Sequence, residues 1–404
     1  MAGPPAPPAN RNVAGMTELA AADAQFFWLS SKLPNDQFQV FVFDGAPAPG
    51  ALEQVRRRAE ACGEFRLRVA DESRWRYPRW VAAPVTDEQF VVHDEQIGVS
   101  GDFHAISRLG RLEATRMTWR VHVYRSGVVV VQMSHALGDG TRCSALAALL
   151  LGRPEPVPEV VAPRRGNPLW RGAVAARTRR QLPPSAPPRP AVSVNDSPAG
   201  EAVLRSIVVE RDRLRTPSVT AAALSAIGEA LCGYLTDRGE DARRLAAEVP
   251  VAGPSTTQAR NSFRNVSIGL HPDLDRDERA ARIAAELAAA RRRGEHPATR
   301  AAAAAVAATP AALLRWGTGM VDPTQRSAGV IGNTVVSSVD RGPADLSFGG
   351  HRVRYTAGFP ALSAMHSLTH GVHGIGDTVT ISVHADSVTV DVDDYLDRLT
   401  SALR

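Results

Sequence analysis

One segment constrains the chain more than any other: Val128-Val129-Val130-Val131-Gln132-Met133-Ser134-His135-Ala136-Leu137-Gly138-Asp139-Gly140-Thr141. Four successive valines suit a buried strand, because β-branched side chains pack well on a pleated surface. The apolar run Ser144 to Leu151 that follows suits a buried helix. Upstream, Trp119-Arg120-Val121-His122-Val123-Tyr124 alternates and Ser126-Gly127 turns the chain, so a hairpin is expected to deliver His135 to a strand-to-helix turn. A histidine placed there can reach into a cleft.

An imidazole that titrates near neutrality can take a proton from an alcohol or amine and return it. Asp139 then either orients that ring or holds the loop by pairing with an arginine. Gly140 removes a side chain where a substrate passes and permits backbone conformations other residues resist. In isolation the same string also fits a histidine satisfied at a strand end and an aspartate capping the next helix. The remainder of the chain has to decide between these.

With 404 residues, two or three structural units are expected at about 150 residues each. The prolines between Arg153 and Gly200 mark where they separate, and that stretch reads as a crossing linker outside any core. Within it, Trp170 to Arg180 is expected to form one short amphipathic helix. The boundaries are therefore a tail over 1–15, a first lobe over 16–152, the linker over 153–200 and a second lobe over 201–404. Strand and helix patterns alternate in both halves. Strands are read at 38–43, 66–69, 203–209, 246–251 and 265–270, and at 378–383 paired with 387–392; helices at 52–62, 220–235, 278–293 and 298–308. The class is α/β.

A net charge of +5 with both signs interspersed is no nucleic-acid footprint. Arginines do cluster at Arg164-Arg165, Arg171, Arg177, Arg179-Arg180 and Arg291-Arg292-Arg293, where they either sit in solvent or meet phosphates or anionic lipid. Three well-separated cysteines imply neither a disulfide framework nor a zinc site. With neither a signal-like start nor an apolar stretch of membrane-spanning length, a cytoplasmic protein is expected, with at most peripheral membrane contact. His366, His370 and His373 have spacings that suit one helical face, yet Gly371, Gly374 and Gly376 interrupt it and no metal is expected there. Trp75, Trp80 and Trp119 are expected in the core.

The strand, the H-x-x-x-D-G at His135 to Gly140 and the apolar helix after it resemble the CoA-dependent acyltransferase superfamily, which includes chloramphenicol acetyltransferase and peptide-synthetase condensation domains. Within it, the wax ester synthase/diacylglycerol acyltransferase (WS/DGAT) family is similar over more of the chain. The similar segments are Ala22-Asp23-Ala24-Gln25-Phe26-Phe27, Met117 to Val123, Val249-Pro250-Val251 with Asn265 to Leu270, and Asn333 to Ser338 followed by Gly342-Pro343 and Phe348 to Val353. Two departures stand out. That family usually has two histidines in succession, and here the first is Ser134; Ser337 and Ser338 stand where it tends to have Val-Pro.

The resemblance implies a two-lobed fold of mixed sheets with helices and an active-site tunnel between the lobes. It implies His135 as general base, Asp139 as a loop brace acting through an arginine, and Gly140 beside the substrate. Ser134, Asn265, Asn333 and Ser337 are the candidate substrate contacts, with plain turn roles open for the two asparagines. No bound cofactor is implied; the cosubstrate is an acyl-CoA or an acyl-carrier thioester, and the acceptor a small-molecule or lipid alcohol or amine. Three functions compete: an acyl-CoA-dependent O- or N-acyltransferase, a condensation-like enzyme served by a carrier protein, and a non-catalytic binder of acyl chains.

Overall fold

Two mixed sheets, one in each lobe, organise the molecule. A computed structural model describes residues 17–157, 159–182, 186–253 and 258–404; the tail expected over 1–15 lies outside them. The first half contains β1 (Thr17–Glu18), α1 (Ala21–Leu29), β2 (Gln37–Phe43), α2 (Ala51–Ala61), β3 (Leu67–Ala70), β4 (Arg79–Ala82), β5 (Phe90–His93), β6 (Trp119–Tyr124), β7 (Val128–Met133), α3 (Gly140–Leu150) and α4 (Pro168–Thr178). Then come β8 (Arg189–Pro190), β9 (Ala202–Glu210), α5 (Val219–Thr236), β10 (Ala246–Ala252), β11 (Phe263–Gly269), α6 (Arg276–Glu295), α7 (Pro297–Ala307) and α8 (Ala311–Gly319). The last are β12 (Gly329–Val330), β13 (Thr334–Asp340), β14 (Ser347–Phe348), β15 (His351–Ala357), β16 (Leu368–Ile375), β17 (Thr378–Asp386) and α9 (Val392–Ala402).

Among the described residues the first sheet runs β14-β15-β2-β7-β6-β5 and the second β11-β10-β13-β16-β17-β9. The valine run is central β7, antiparallel to both β2 and β6. Its alternate faces serve two cores. Val129, Val131 and Met133 pack with α2 and α3, while Val128 and Val130 join Val40, Tyr124, Leu204, Ala357 and Phe359 between the lobes. Burying each such side chain contributes roughly 1.5–3 kcal/mol, so a strand buried on both faces holds firmly the loop it delivers. A third core lies in the second lobe, where α5 and α9 cover one face of β16 and β17.

Helix α5 is long and apolar enough to cross a membrane by composition alone, yet most of it is buried in that third core. Its start is cut by Ser218, whose side chain accepts from Ala221 N.

Several expectations are corrected. The pair expected over 378–383 and 387–392 is one strand, β17, whose antiparallel partner is the glycine-rich β16. Asp386 ends it by accepting from the Thr389 backbone and hydroxyl, and the chain passes into α9. The His366 to His373 region is therefore extended. His370 faces α9 and bonds Tyr395, and His373 faces the opposite way. Trp80 and Trp119 are buried as expected, but Trp75 is 70% exposed.

The proline-rich linker does carry an exposed helix, α4, which packs against α7 and leaves Leu169 and Trp170 outside. It is not free of core residues, however. Val194 and Asn195 are completely buried, because Asn195 donates to Asn333 O and Met365 O and ties the linker to the second sheet. The lobes are not contiguous in sequence either, since β14 and β15 complete the first sheet from the far end of the chain.

Candidate active site

His135 opens a single 3-10 turn, His135–Leu137, between β7 and α3. Ser134 caps this turn: its Oγ accepts from Ala136 N and it is buried, so its hydroxyl serves the loop instead of facing a substrate. Asp139 caps α3 with Oδ1 accepting from Arg142 N at 3.0 Å.

What fixes the ring of His135 comes from the other lobe. Its Nδ1 lies 2.9 Å from Asn261 Oδ1. Asn261 Nδ2 donates to the His135 carbonyl at 2.8 Å and to Asp23 Oδ1 at 2.9 Å, which assigns the amide's orientation from its hydrogen-bond network. The acceptor Oδ1 must then face a donor, so Nδ1 carries the proton and Nε2 keeps its lone pair. That is the tautomer a general base needs.

Asp23 is 1% exposed and also accepts from the backbone N–H groups of Arg260 and Asn261. Burial pushes its carboxyl pKa above the ordinary value, although these donors pull the other way. Three residues on, one helical turn along α1, Phe26 stacks on the imidazole with ring centres 4.0 Å apart and planes 5° from parallel. Phe263 stands 5.7 Å away on a further side. This apolar setting holds the His135 pKa below its ordinary value, against the opposing influence of the Asn261 hydrogen bond and the Asp139 charge. The ring is neutral at pH 7.

The strap Arg260-Asn261-Ser262 closes the site. Asp139 Oδ2 accepts from Ser262 N at 3.1 Å, and Asp139 N donates to Arg260 O at 3.2 Å. Asp139 thus braces the loop through the main chain of the opposite lobe as well as by capping; the expected arginine contributes its backbone. The guanidinium of Arg260 lies over Trp80 and, with Arg142, binds Glu64. Although burial opposes it, these two charges hold the Glu64 carboxyl below the usual range. Gln37 Nε2 donates to Gly138 O, fixing the loop from β2.

The other expected contacts fall as follows. A methyl on Gly140 would touch Val339 Cγ2 at 3.4 Å, so the gap between the lobes is about one methyl wide there. Ser337 shares the inter-lobe face of β13 with Val339, two residues away. Asn265 is elsewhere: its exposed side chain donates to Glu248 on the neighbouring strand. Asn333 is buried and fully engaged, accepting from Ala246 N and donating to Pro190 O and Asn195 Oδ1. Asn261 and the pair Asp23 and Phe26 were not among the site residues expected from the sequence; the pair lies in the family-like segment Ala22 to Phe27 at i, i+3 spacing, whereas Asn261 carried no local signal. Among the described residues no cluster of His, Cys, Asp or Glu forms a metal site.

The family model for the WS/DGAT C-terminal domain matches residues 260–404, beginning at the strap that holds His135. Residues 260–404 are thus similar to the WS/DGAT C-terminal domain. No protein of curated function matches the sequence. Among solved structures, the wax ester synthase/diacylglycerol acyltransferase from Marinobacter aquaeolei VT8 is 18% identical, with 96% of this chain and 98% of that one covered at a TM-score of 0.60. The starter condensation domain of rhizomide synthetase, in complex with C8-CoA and Leu-SNAC, is 14% identical over 96% and 93% at 0.59. The first condensation domain of the CDA synthetase is 14% identical over 97% and 95% at 0.57. The two lobes therefore have the fold shared by the WS/DGAT structure and the condensation domains, as the sequence implied.

Proposed function

We propose that the protein is an acyltransferase that moves an acyl group from an acyl-CoA thioester to a hydroxyl or amine acceptor, with His135 as general base. The observation that carries this is the Asp23-Asn261-His135 chain, which leaves Nε2 as the unprotonated nitrogen of a neutral ring. Nε2 takes the acceptor's proton as its oxygen or nitrogen attacks the thioester carbonyl carbon. The tetrahedral oxyanion then collapses, the carbon–sulfur bond breaks, and the proton passes from Nε2 to the leaving thiolate. Products are an ester or amide and free CoA thiol.

No acyl-enzyme is required. The Ser134 hydroxyl is committed to the loop, and burial pushes the Cys143 thiol far up, so neither suits a nucleophile. The positive end of α3 begins at Gly140, which favours negative charge developing near the loop. The substrates would meet in a tunnel along the lobe junction, where Gly140, Val339 and Ser337 stand. The same reading makes the protein cytoplasmic, with any membrane contact peripheral and through the exposed Leu169, Trp170 and Trp316.

The test is His135→Ala, checked for native circular dichroism and assayed for CoA thiol release with acyl-CoAs and a panel of alcohols and amines. A loss of at least 100-fold is expected; turnover near wild type would sink the mechanism.

A carrier-protein thioester is the second reading for the donor. It is favoured by the charge balance of residues 160–195, which hold seven arginines and no acidic side chain, as suits an acidic carrier. The same acyl group presented on CoA and on a carrier protein separates the two, and exclusive use of CoA eliminates the second.

A further inference from the structure

Arg341 is a buried cation that meets no acidic partner among the described residues. It follows β13 and retains 4% exposure. The nearest acids in sequence are already engaged, Asp340 with Arg211 and Asp345 with Arg153. Only one of its nitrogens is satisfied: Nη1 donates to Val40 O and Thr356 Oγ1, which anchors the guanidinium to β2 and β15 of the other lobe. Nε is buried without a partner, and Nη2 makes no hydrogen bond among the described residues. Nε and Nη2 together form the side of the guanidinium fork that fits the two oxygens of a carboxylate.

The surroundings repeat this pattern. His373, which pairs with Val339 in register, is buried with Nδ1 unpartnered. A Cβ on residue 358 would stand 3.2 Å from Arg341 Nη2 and 2.9 Å from His373 Nε2, so the Gly358 backbone packs directly against both side chains. Beyond it, Thr380, Ser382 and Ser206 occupy the inter-lobe face of adjacent strands, Thr380 opposite His373 and Ser206 opposite Ser382, all with buried hydroxyls lacking partners. Unsatisfied groups of this kind are costly, and a fold that keeps several on one seam has a polar occupant to satisfy them.

We infer that Arg341, with His373, binds a carboxylate on one of the two substrates. This rests on the acyltransferase reading and names a substrate class for the same site. Along β2, Gln37 touches the His135 loop and Val40 holds Arg341; three residues of strand separate them, so the carboxylate sits ~10 Å from the reacting atoms. The carboxylate belongs either to the acceptor, as a hydroxy acid, or to the donor, as the far end of a dicarboxylic monothioester.

The experiment is isothermal titration of the full chain with two matched pairs: 8-hydroxyoctanoate against 1-octanol, and octanedioyl-CoA against octanoyl-CoA. The carboxylate-bearing member of one pair should bind at least about 10-fold more tightly, and which pair responds identifies the source. Arg341→Met should abolish the preference and, by removing an uncompensated buried charge, leave Tm equal or higher. Arg341→Lys, which keeps the charge without the fork, should retain only part of it. No preference in the wild type for either pair, or one that survives Arg341→Met, overturns the inference; a lowered Tm in Arg341→Met without any wild-type preference assigns the arginine to lobe clamping alone. Binding to His135→Ala should keep the preference, so a failure of the catalytic reading stays distinct from a failure of this one.

Discussion

At the scale of single residues, the arrangement around His135 separates tautomer control from charge. Asn261 offers an oxygen to Nδ1 but no formal charge, and the carboxyl of Asp23 lies one residue further back. Replacing Asn261 by Ala frees the ring to rotate and lets the proton choose either nitrogen, so turnover should fall by roughly 100-fold with little change in KM. Asn261→Asp has a different signature: a carboxylate beside Nδ1 stabilises the imidazolium and raises the His135 pKa. On the proposed mechanism the neutral ring is the base, and its pKa in the wild type lies below the ordinary 6.5, so activity should be lost only as pH falls beneath that value; in Asn261→Asp the acid limb of the pH–rate profile should move to higher pH. An unmoved limb would show that Asn261 does not set the protonation of the base. His135 itself was legible in the sequence because its strand, turn and helix are consecutive. Asn261 was not: it lies 126 positions from the histidine, in a run without periodicity, and four residues before the Asn265 that the strand pattern favoured.

At the scale of elements, most strands and helices follow local patterns, since β-branched alternation and alanine-rich spacing decide them before any tertiary contact does. The exception is β16, where glycine and histidine erase the alternation and only the neighbours reveal a strand. Its glycines have a packing reason. A Cβ on Gly371 would lie 2.1 Å from the carbonyl oxygen of Gly358, which is backbone and cannot turn aside. Gly371→Ala should therefore force the second sheet away from the segment after β15, at a cost of about 1–3 kcal/mol, read as a lower urea midpoint. Gly239→Ala meets no atom within 4 Å but has φ of +78°, so backbone strain alone should make its cost smaller. Equal midpoints for Gly371→Ala and wild type would show that the lobe contact is soft.

At the scale of the whole molecule, two features set how the fold responds to conditions and to cutting. Buried neutral histidines occur in both lobes: desolvation holds His122 at about 4, His370 at about 3 and His384 at about 4, against 6.5 for an exposed imidazole. Above 6.5 they are neutral folded or unfolded and contribute nothing to pH dependence. As pH falls below 6.5 the unfolded chain gains protons that the folded chain refuses, so each of the three removes roughly 3 kcal/mol or more by the time pH reaches its folded value. Asp23 and Asp36, whose carboxyls are pushed up by burial, act in the opposite sense, since the folded chain takes up their protons more readily than the unfolded chain as pH falls. Urea midpoints should be flat above pH 6.5 and fall steeply toward pH 4. The second feature is the exchange between lobes. A cut in the linker is the division the sequence suggests, yet residues 17–200 alone would lack β15, exposing the edge of β2 at Val40 to Phe43. They would also lose the strap that satisfies Asp23, leaving a buried carboxylate without its donors. The fragment should show no cooperative thermal transition, and adding residues 201–404 in trans should restore one. A fragment that melts cooperatively by itself would mean that the first sheet is stable without the strand it borrows.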